Sequence, residues 1–298
     1  MLRFGRFLLV CLFAAGCNRQ ENTASPVADG SDGMRIISMA ANLTEILYAL
    51  ELEDRIVGVT SFCDYPPAAK KKPKIGGLYD ANYESIVTLA PTLVLLLKEH
   101  QEARARLQTL GIEYMQVDNR SVKGILESIQ RIGNKCGAKE KAQNLVESMR
   151  GTIQSIRSRR PEHPGDRPRV LISIGRAMGS GRATDVYVAG PDTIYQELTE
   201  IAGGRNAYEG NLDYPQVGAE NILRMNPDII IDMAADLEAK GLDKRSVREE
   251  WNAFSDVKAV RNDRVYVLTG DYVTVPGPRF VMLLEDIAAA IHLQPEEE

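Results

Sequence analysis

A chain of 298 residues, 44% hydrophobic and 26% charged, has an ordinary globular composition and enough length for two compact units. Its net charge of −5 argues against a nucleic-acid partner, which needs a basic surface.

The N-terminus carries Arg3 and Arg6, then the apolar run Phe7–Ala15, and the run ends in Ala14-Ala15-Gly16-Cys17. So short a run cannot span a bilayer as a helix, and residues 1–16 read as a signal peptide. Small residues ahead of a cysteine resemble the lipobox of bacterial lipoproteins. That resemblance implies cleavage before Cys17, lipid attachment to Cys17, and a place on the outer face of the cytoplasmic membrane. Residues 17–33, polar with Ser, Asn, Asp and Gly, read as a flexible tether. Cys63 and Cys136 lie further on. An exported location permits a disulfide, and the sequence leaves open whether they pair.

Residues 35–38 (RIIS) read as a buried strand, and 42–50 as a helix with Leu43, Ile46, Leu47 and Leu50 on one face. Residues 55–60 predict a second strand, and 64–73, with Pro66 and Pro67, a loop. A helix over 84–89 stops before Pro91. A strand at 93–97, a helix at 101–110 ended by Gly111, a strand at 112–117 and a helix at 122–132 follow. Alternating strands and helices predict an α/β unit with a mainly parallel sheet. From Ala138 to Arg160 the pattern changes: Ala142, Leu145, Val146, Met149, Ile153 and Ile156 keep one stripe and predict one long helix. After the loop Pro161–Pro168 the alternation restarts. It has strands at 169–174, 228–232 and 264–268, and helices at 193–202, 221–225 and 279–292. The expected organisation is an N-terminal α/β lobe (34–136), a backbone helix and loop (137–163), and a C-terminal α/β lobe (164–293). A ligand cleft is expected between the two parallel-sheet lobes.

One segment is written twice. Residues 84–95 (ESIVTLAPTLVL) and 220–231 (ENILRMNPDIII) both follow Glu-x-Ile-x-x-(Leu/Met)-x-Pro. Glu84 matches Glu220, Ile86 matches Ile222, and Pro91 matches Pro227. The offset far exceeds a solenoid repeat and implies two similar lobes. Each glutamate falls in a first helical turn, where it interacts favourably with the helix dipole.

Several stretches resemble the periplasmic substrate-binding proteins of ABC importers, of the helical-backbone type that takes cobalamin, iron-siderophores or haem. They are RIISMAANLTEILYALELEDRIVGVTSFCDYPPAAKKKPKIGG, VYVAGPDTIYQELTEIAGGRNAY at 186–208, LDYPQVGAENIL at 212–223, and the repeated motif. CDYPP and YPQVGAE are most similar to the cobalamin-binding members. The resemblance covers residues 35–292. It implies a monomer that captures a cobalamin, or a ferric siderophore or haem, and delivers it to a permease dimer with its ATPase. It also implies that Glu84 and Glu220 dock onto arginines of that permease.

A ligand between the lobes should touch loops at the carboxyl ends of the strands: 39–43, 61–65, 78–83, 175–187, 212–216 and 270–278. Of 11 Tyr, 6 Phe and 1 Trp, seven aromatics fall in these loops, which suits a large flat ligand. Phe62, Tyr65, Tyr79, Tyr214 and Tyr272 are candidate contacts, and Asp271 a candidate acceptor for a ligand amide. The resemblance points especially to Tyr65 and Tyr214. Arg176 and Arg182 would serve an anionic siderophore. His100, His163 and His292 are too scattered for a bare-metal site, and no protein-bound metal or cofactor is expected. The glycine-rich run at 175–181 matches neither GxxxxGK(S/T) nor G-x-G-x-x-G, and no triad is suggested. Enzymatic activity is not expected.

Overall fold

Strands β1 (Ile36–Ser38), β2 (Ile56–Val59), β3 (Leu93–Leu97) and β4 (Tyr114–Val117) form a sheet in the order β2-β1-β3-β4, with every pair parallel. This computed structural model describes residues 33–292. The signal peptide, Cys17 and residues 17–32 of the tether lie outside the described residues. Helices α1 (Ala41–Ala49), α2 (Tyr83–Thr88) and α3 (Gln101–Thr109) lie in the crossovers. All five residues of β3, LVLLL, are buried, as a strand covered on both faces requires.

Helix α4 (Val122–Lys135) begins at Ser121, whose hydroxyl accepts from the Gly124 N–H at 3.0 Å. Helix α5 (Lys139–Arg157) is the long helix between the sheets, burying Ala142, Val146, Met149, Ile153 and Ile156. At Gly133 a Cβ would stand 2.4 Å from that of Ala142, so only glycine lets α4 and α5 approach this closely.

The second sheet contains β5 (Arg169–Ala177), β6 (Thr184–Val188), β7 (Arg205–Asn206), β8 (Gln216–Val217), β9 (Ile229–Met233) and β10 (Val265–Leu268). Its order is β10-β9-β5-β6-β8, with β7 beside the start of β5. Strands β10, β9, β5 and β7 pair in parallel, whereas β6 and β8 add an antiparallel edge. Helices α6 (Ile194–Ile201), α7 (Ala219–Met225), α8 (Lys244–Glu249), α9 (Lys258–Arg261) and α10 (Phe280–His292) complete it.

The antiparallel edge corrects one sequence expectation. Residues 175–187 contain the turn of a β5–β6 hairpin, not an open cleft loop. Glu250 fixes its tip by accepting from the Gly179 and Gly181 N–H groups at 2.8 and 3.0 Å. Arg176 is buried. Its Nε lies 2.8 Å from Asp232 Oδ2 and its Nη1 2.5 Å from Glu250 Oε2. This pairing removes Arg176 from any ligand role, because a buried charge must keep its partners.

One apolar core runs through both lobes. It joins Leu43 and Ile46 of α1, Ile129 of α4, Val146 of α5, Ile172 of β5, Leu198 of α6 and Leu284 of α10. The lobes are therefore held together by shared burial as well as by α5, since parting them would expose this surface to water. Cys63 and Cys136 are both buried and unpaired, which answers the open disulfide question. The Cys63 Sγ lies 3.1 Å from the hydroxyls of Thr44 and Thr60. Burial pushes the Cys136 thiol up to about 11, so it stays protonated.

Candidate ligand cleft

A cleft of about 1040 Å³ lies where the strand ends of the two lobes face each other. The N-terminal lobe supplies Asn42 after β1, Phe62 after β2, Tyr79 ahead of α2, Glu99 after β3, and Asn119 and Arg120 after β4. The opposite wall comes from Asp192 and Ile194 at the start of α6, Asp213 and Tyr214 before β8, and Thr274–Pro276 after β10. Such placement follows from parallel sheets, whose carboxyl-end loops converge on one side.

The aromatic rings dominate this surface. Phe62, Tyr79 and Tyr214 are 66%, 75% and 50% exposed, so their faces are free for stacking. Two of them rest edge-on against neighbours, Tyr79 on His100 at 6.0 Å and Tyr214 on Tyr195 at 6.4 Å between ring centroids. His100 is buried, accepts the Leu97 N–H at Nδ1, and has its pKa lowered by burial. It acts as a packing partner of Tyr79.

Arg120 is the one cation among the described residues that line the cleft. Its Nε and Nη2 donate to Asp118 Oδ1 and Oδ2 at 2.9 and 2.7 Å. This fork holds the Asp118 carboxyl down to about 2.

Three of the six candidate ligand contacts, Phe62, Tyr79 and Tyr214, are brought together in the cleft. Tyr65, Asp271 and Tyr272 do not line it but gather around Arg279, ahead of α10. The Arg279 guanidinium lies 3.7 Å from the centroid of the Tyr65 ring. Both Asp271 oxygens accept from Arg279, at 2.5 and 3.1 Å, which lowers the Asp271 pKa and turns it toward this cluster. The Tyr272 hydroxyl donates to Asp286. Arg279 also pairs with Glu45 of α1, so this cluster ties the lobes together beside the cleft.

Sequence reasoning passed over Glu99, Asn119, Arg120 and Asp192. The first three follow directly after strands it had placed, so the same strand-end rule marks their loops. Among the described residues no group of His, Cys, Asp and Glu could hold a metal ion, and no helix is long and apolar enough to cross a membrane.

Residues 36–272 match the periplasmic binding protein family. An uncharacterised ABC transporter substrate-binding lipoprotein of Bacillus subtilis is 32% identical over 87% of this chain and 80% of its own length. A vitamin B12-binding protein of Vibrio vulnificus is 24% identical over 85% of this chain and 88% of its own. The chain belongs to the periplasmic binding protein family. Solved structures agree on the fold. The haem-binding protein RhuT of Roseiflexus superposes with a TM-score of 0.72 at 26% identity, covering 87% of this chain and 98% of that one. The vitamin B12-binding protein of Vibrio cholerae superposes at 0.71 with 24% identity, covering 86% and 96%. This is a family of solute-binding proteins, and its Bacillus subtilis member is the substrate-binding part of an ABC transporter.

In this periplasmic binding protein the repeated motif is also a repeated structure. Glu84 and Glu220 are both exposed in the first turns of α2 and α7, while Ile86 and Ile222 are both buried. Each helix ends on a left-handed residue before its proline, Ala90 with φ 43° and Asn226 with φ 42°. Thr92 and Asp228 then make the same pair of bonds to the residue that leads into the neighbouring strand. The Thr92 N–H donates to the Arg35 carbonyl at 2.9 Å and its hydroxyl accepts the Arg35 N–H at 2.9 Å. The Asp228 N–H donates to the Arg169 carbonyl at 2.8 Å and its carboxylate accepts the Arg169 N–H at 2.8 Å. Neither glutamate lines the cleft.

Proposed function

We propose that this protein captures a corrinoid outside the cytoplasmic membrane and delivers it to an ABC importer. The observation that carries this reading is the pairing of exposed aromatic faces from both lobes, Phe62 and Tyr79 on one wall and Tyr214 on the other, in a cleft of about 1040 Å³. A large flat macrocycle suits such a space, with a few polar groups setting its orientation. Full-length similarity to vitamin B12-binding proteins, and 29% identity to a cobalamin-binding protein of Halobacterium salinarum, support it.

Haem is the second reading. It draws on the exposed tyrosines, since a tyrosine can ligate haem iron, and on likeness to haem-binding structures. Anchoring through a lipid on Cys17 and docking through Glu84 and Glu220 belong to the same proposal. Two separated carboxylates on matching helices suit a two-fold partner, fixing orientation more than affinity.

Gel filtration of the purified protein with cyanocobalamin tests the reading. Stoichiometric co-elution of the red ligand is expected. Retention of haemin or a ferric siderophore with no corrinoid retained would overturn it.

A further inference from the structure

Among the charged side chains of the cleft acids outnumber cations four to one, and two of its amides have atoms that lack partners. Asn119 lines it, is 2% exposed, and neither its Oδ1 nor its Nδ2 has a hydrogen-bond partner among the described residues. Asn42 lines it too, at 4% exposed. Its Nδ2 donates to the Pro276 carbonyl at 3.1 Å, which fixes the amide and leaves Oδ1 without a partner. A buried amide left unsatisfied is costly, so a ligand that completes the bonding of these two gains by it. Around them stand the carboxylates of Asp80, Glu99, Asp192 and Asp213, against the single cation Arg120, already forked onto Asp118.

We infer that the cleft selects ligands whose periphery presents neutral N–H donors, primary carboxamides above all, over ligands that present carboxylates. A carboxamide can donate to Asn42 Oδ1 and exchange both a donor and an acceptor with Asn119. A carboxylate can only accept, so it leaves the Asn42 oxygen orphaned and meets four acids with Arg120, already shared with Asp118, as the one cation. The inference deepens the corrinoid reading and rests on the cleft being the ligand site.

Binding is measured on two matched pairs: cyanocobalamin against its monocarboxylic acids, each with one side-chain amide hydrolysed, and haemin against its bis-amide. On whichever macrocycle binds, the amide form should bind at least about tenfold more tightly than an acid form. Acids bound as tightly as amides, or no binding of either macrocycle, overturn the inference. Binding of the haemin pair alone, with the amide preferred, overturns the corrinoid reading and leaves the amide selection standing. Asn119→Ala supplies a second measurement. Its ligand-free melting temperature should be unchanged or raised, because an unsatisfied polar group is gone, while its preference for amide over acid falls about tenfold. A lowered melting temperature with preference intact makes Asn119 a purely structural residue and rejects its role.

Discussion

Arg279 of the C-terminal lobe forks onto Glu45 of the N-terminal lobe, with Nη2 to Oε1 at 2.6 Å and Nε to Oε2 at 3.0 Å. The two side chains are 11% and 3% exposed, and Asn42 adds its bond to Pro276 beside them. Burial lifts the Glu45 carboxyl above its ordinary range in spite of Arg279, so the pair brings position rather than large net stability.

Removing one partner should nonetheless be expensive. Arg279→Ala leaves Glu45 buried without its counter-charge, and urea unfolding should show a loss of about 3 kcal/mol. The double variant Arg279→Met with Glu45→Leu should lose less than Arg279→Ala alone. Equal losses would mean that packing, not the orphaned charge, explains the effect.

Acid stability should depend on Asp118. Its folded value of about 2 lies below the ordinary 3.8, so the folded protein holds fewer protons than the unfolded chain in that window. The contribution is complete above 3.8 and is lost as pH falls through about 2. Asp118→Asn should therefore flatten the fall in stability between about pH 4 and pH 2. The pair is solvent-exposed, which limits the difference to about 1 kcal/mol. An unchanged slope would remove the Arg120 fork from the account.

The two left-handed caps predict opposite responses. Ala90 carries a Cβ at φ 43°, so Ala90→Gly should raise stability by about 0.5–1 kcal/mol in thermal unfolding. Asn226 tolerates its φ of 42° and accepts the Lys258 N–H at 2.9 Å, so Asn226→Ala should lower stability by about 1–2 kcal/mol. Responses of the same sign would contradict the structural equivalence of the two motifs.

Docking is tested by Glu84→Ala with Glu220→Ala. Import into cells should be abolished while ligand affinity in solution stays within about threefold. Weakened ligand binding with the fold intact would place the glutamates at the ligand instead.

The repeat was legible because both copies meet the same local demands: an exposed first-turn glutamate, a buried isoleucine two residues on, and a proline that cannot continue the helix. The long α5 was legible because its stripe of Ala142, Val146, Met149 and Ile153 keeps helical period without interruption. The β5–β6 hairpin was not. Its turn is held by Glu250, some seventy residues away in the chain, and no local pattern announces such a partner.

The same division runs through the cleft. Sequence alone determined the family, the two lobes and the aromatic loops, because periodicity, turn residues and family motifs are local properties of the chain. Only the tertiary structure separated Phe62, Tyr79 and Tyr214, which face the cleft, from Tyr65, Asp271 and Tyr272, which Arg279 gathers beside it. It alone showed Asn42 and Asn119 to be buried with unanswered polar atoms. Burial and hydrogen-bond satisfaction depend on which distant segments meet, and that is decided when the two sheets close on their shared core.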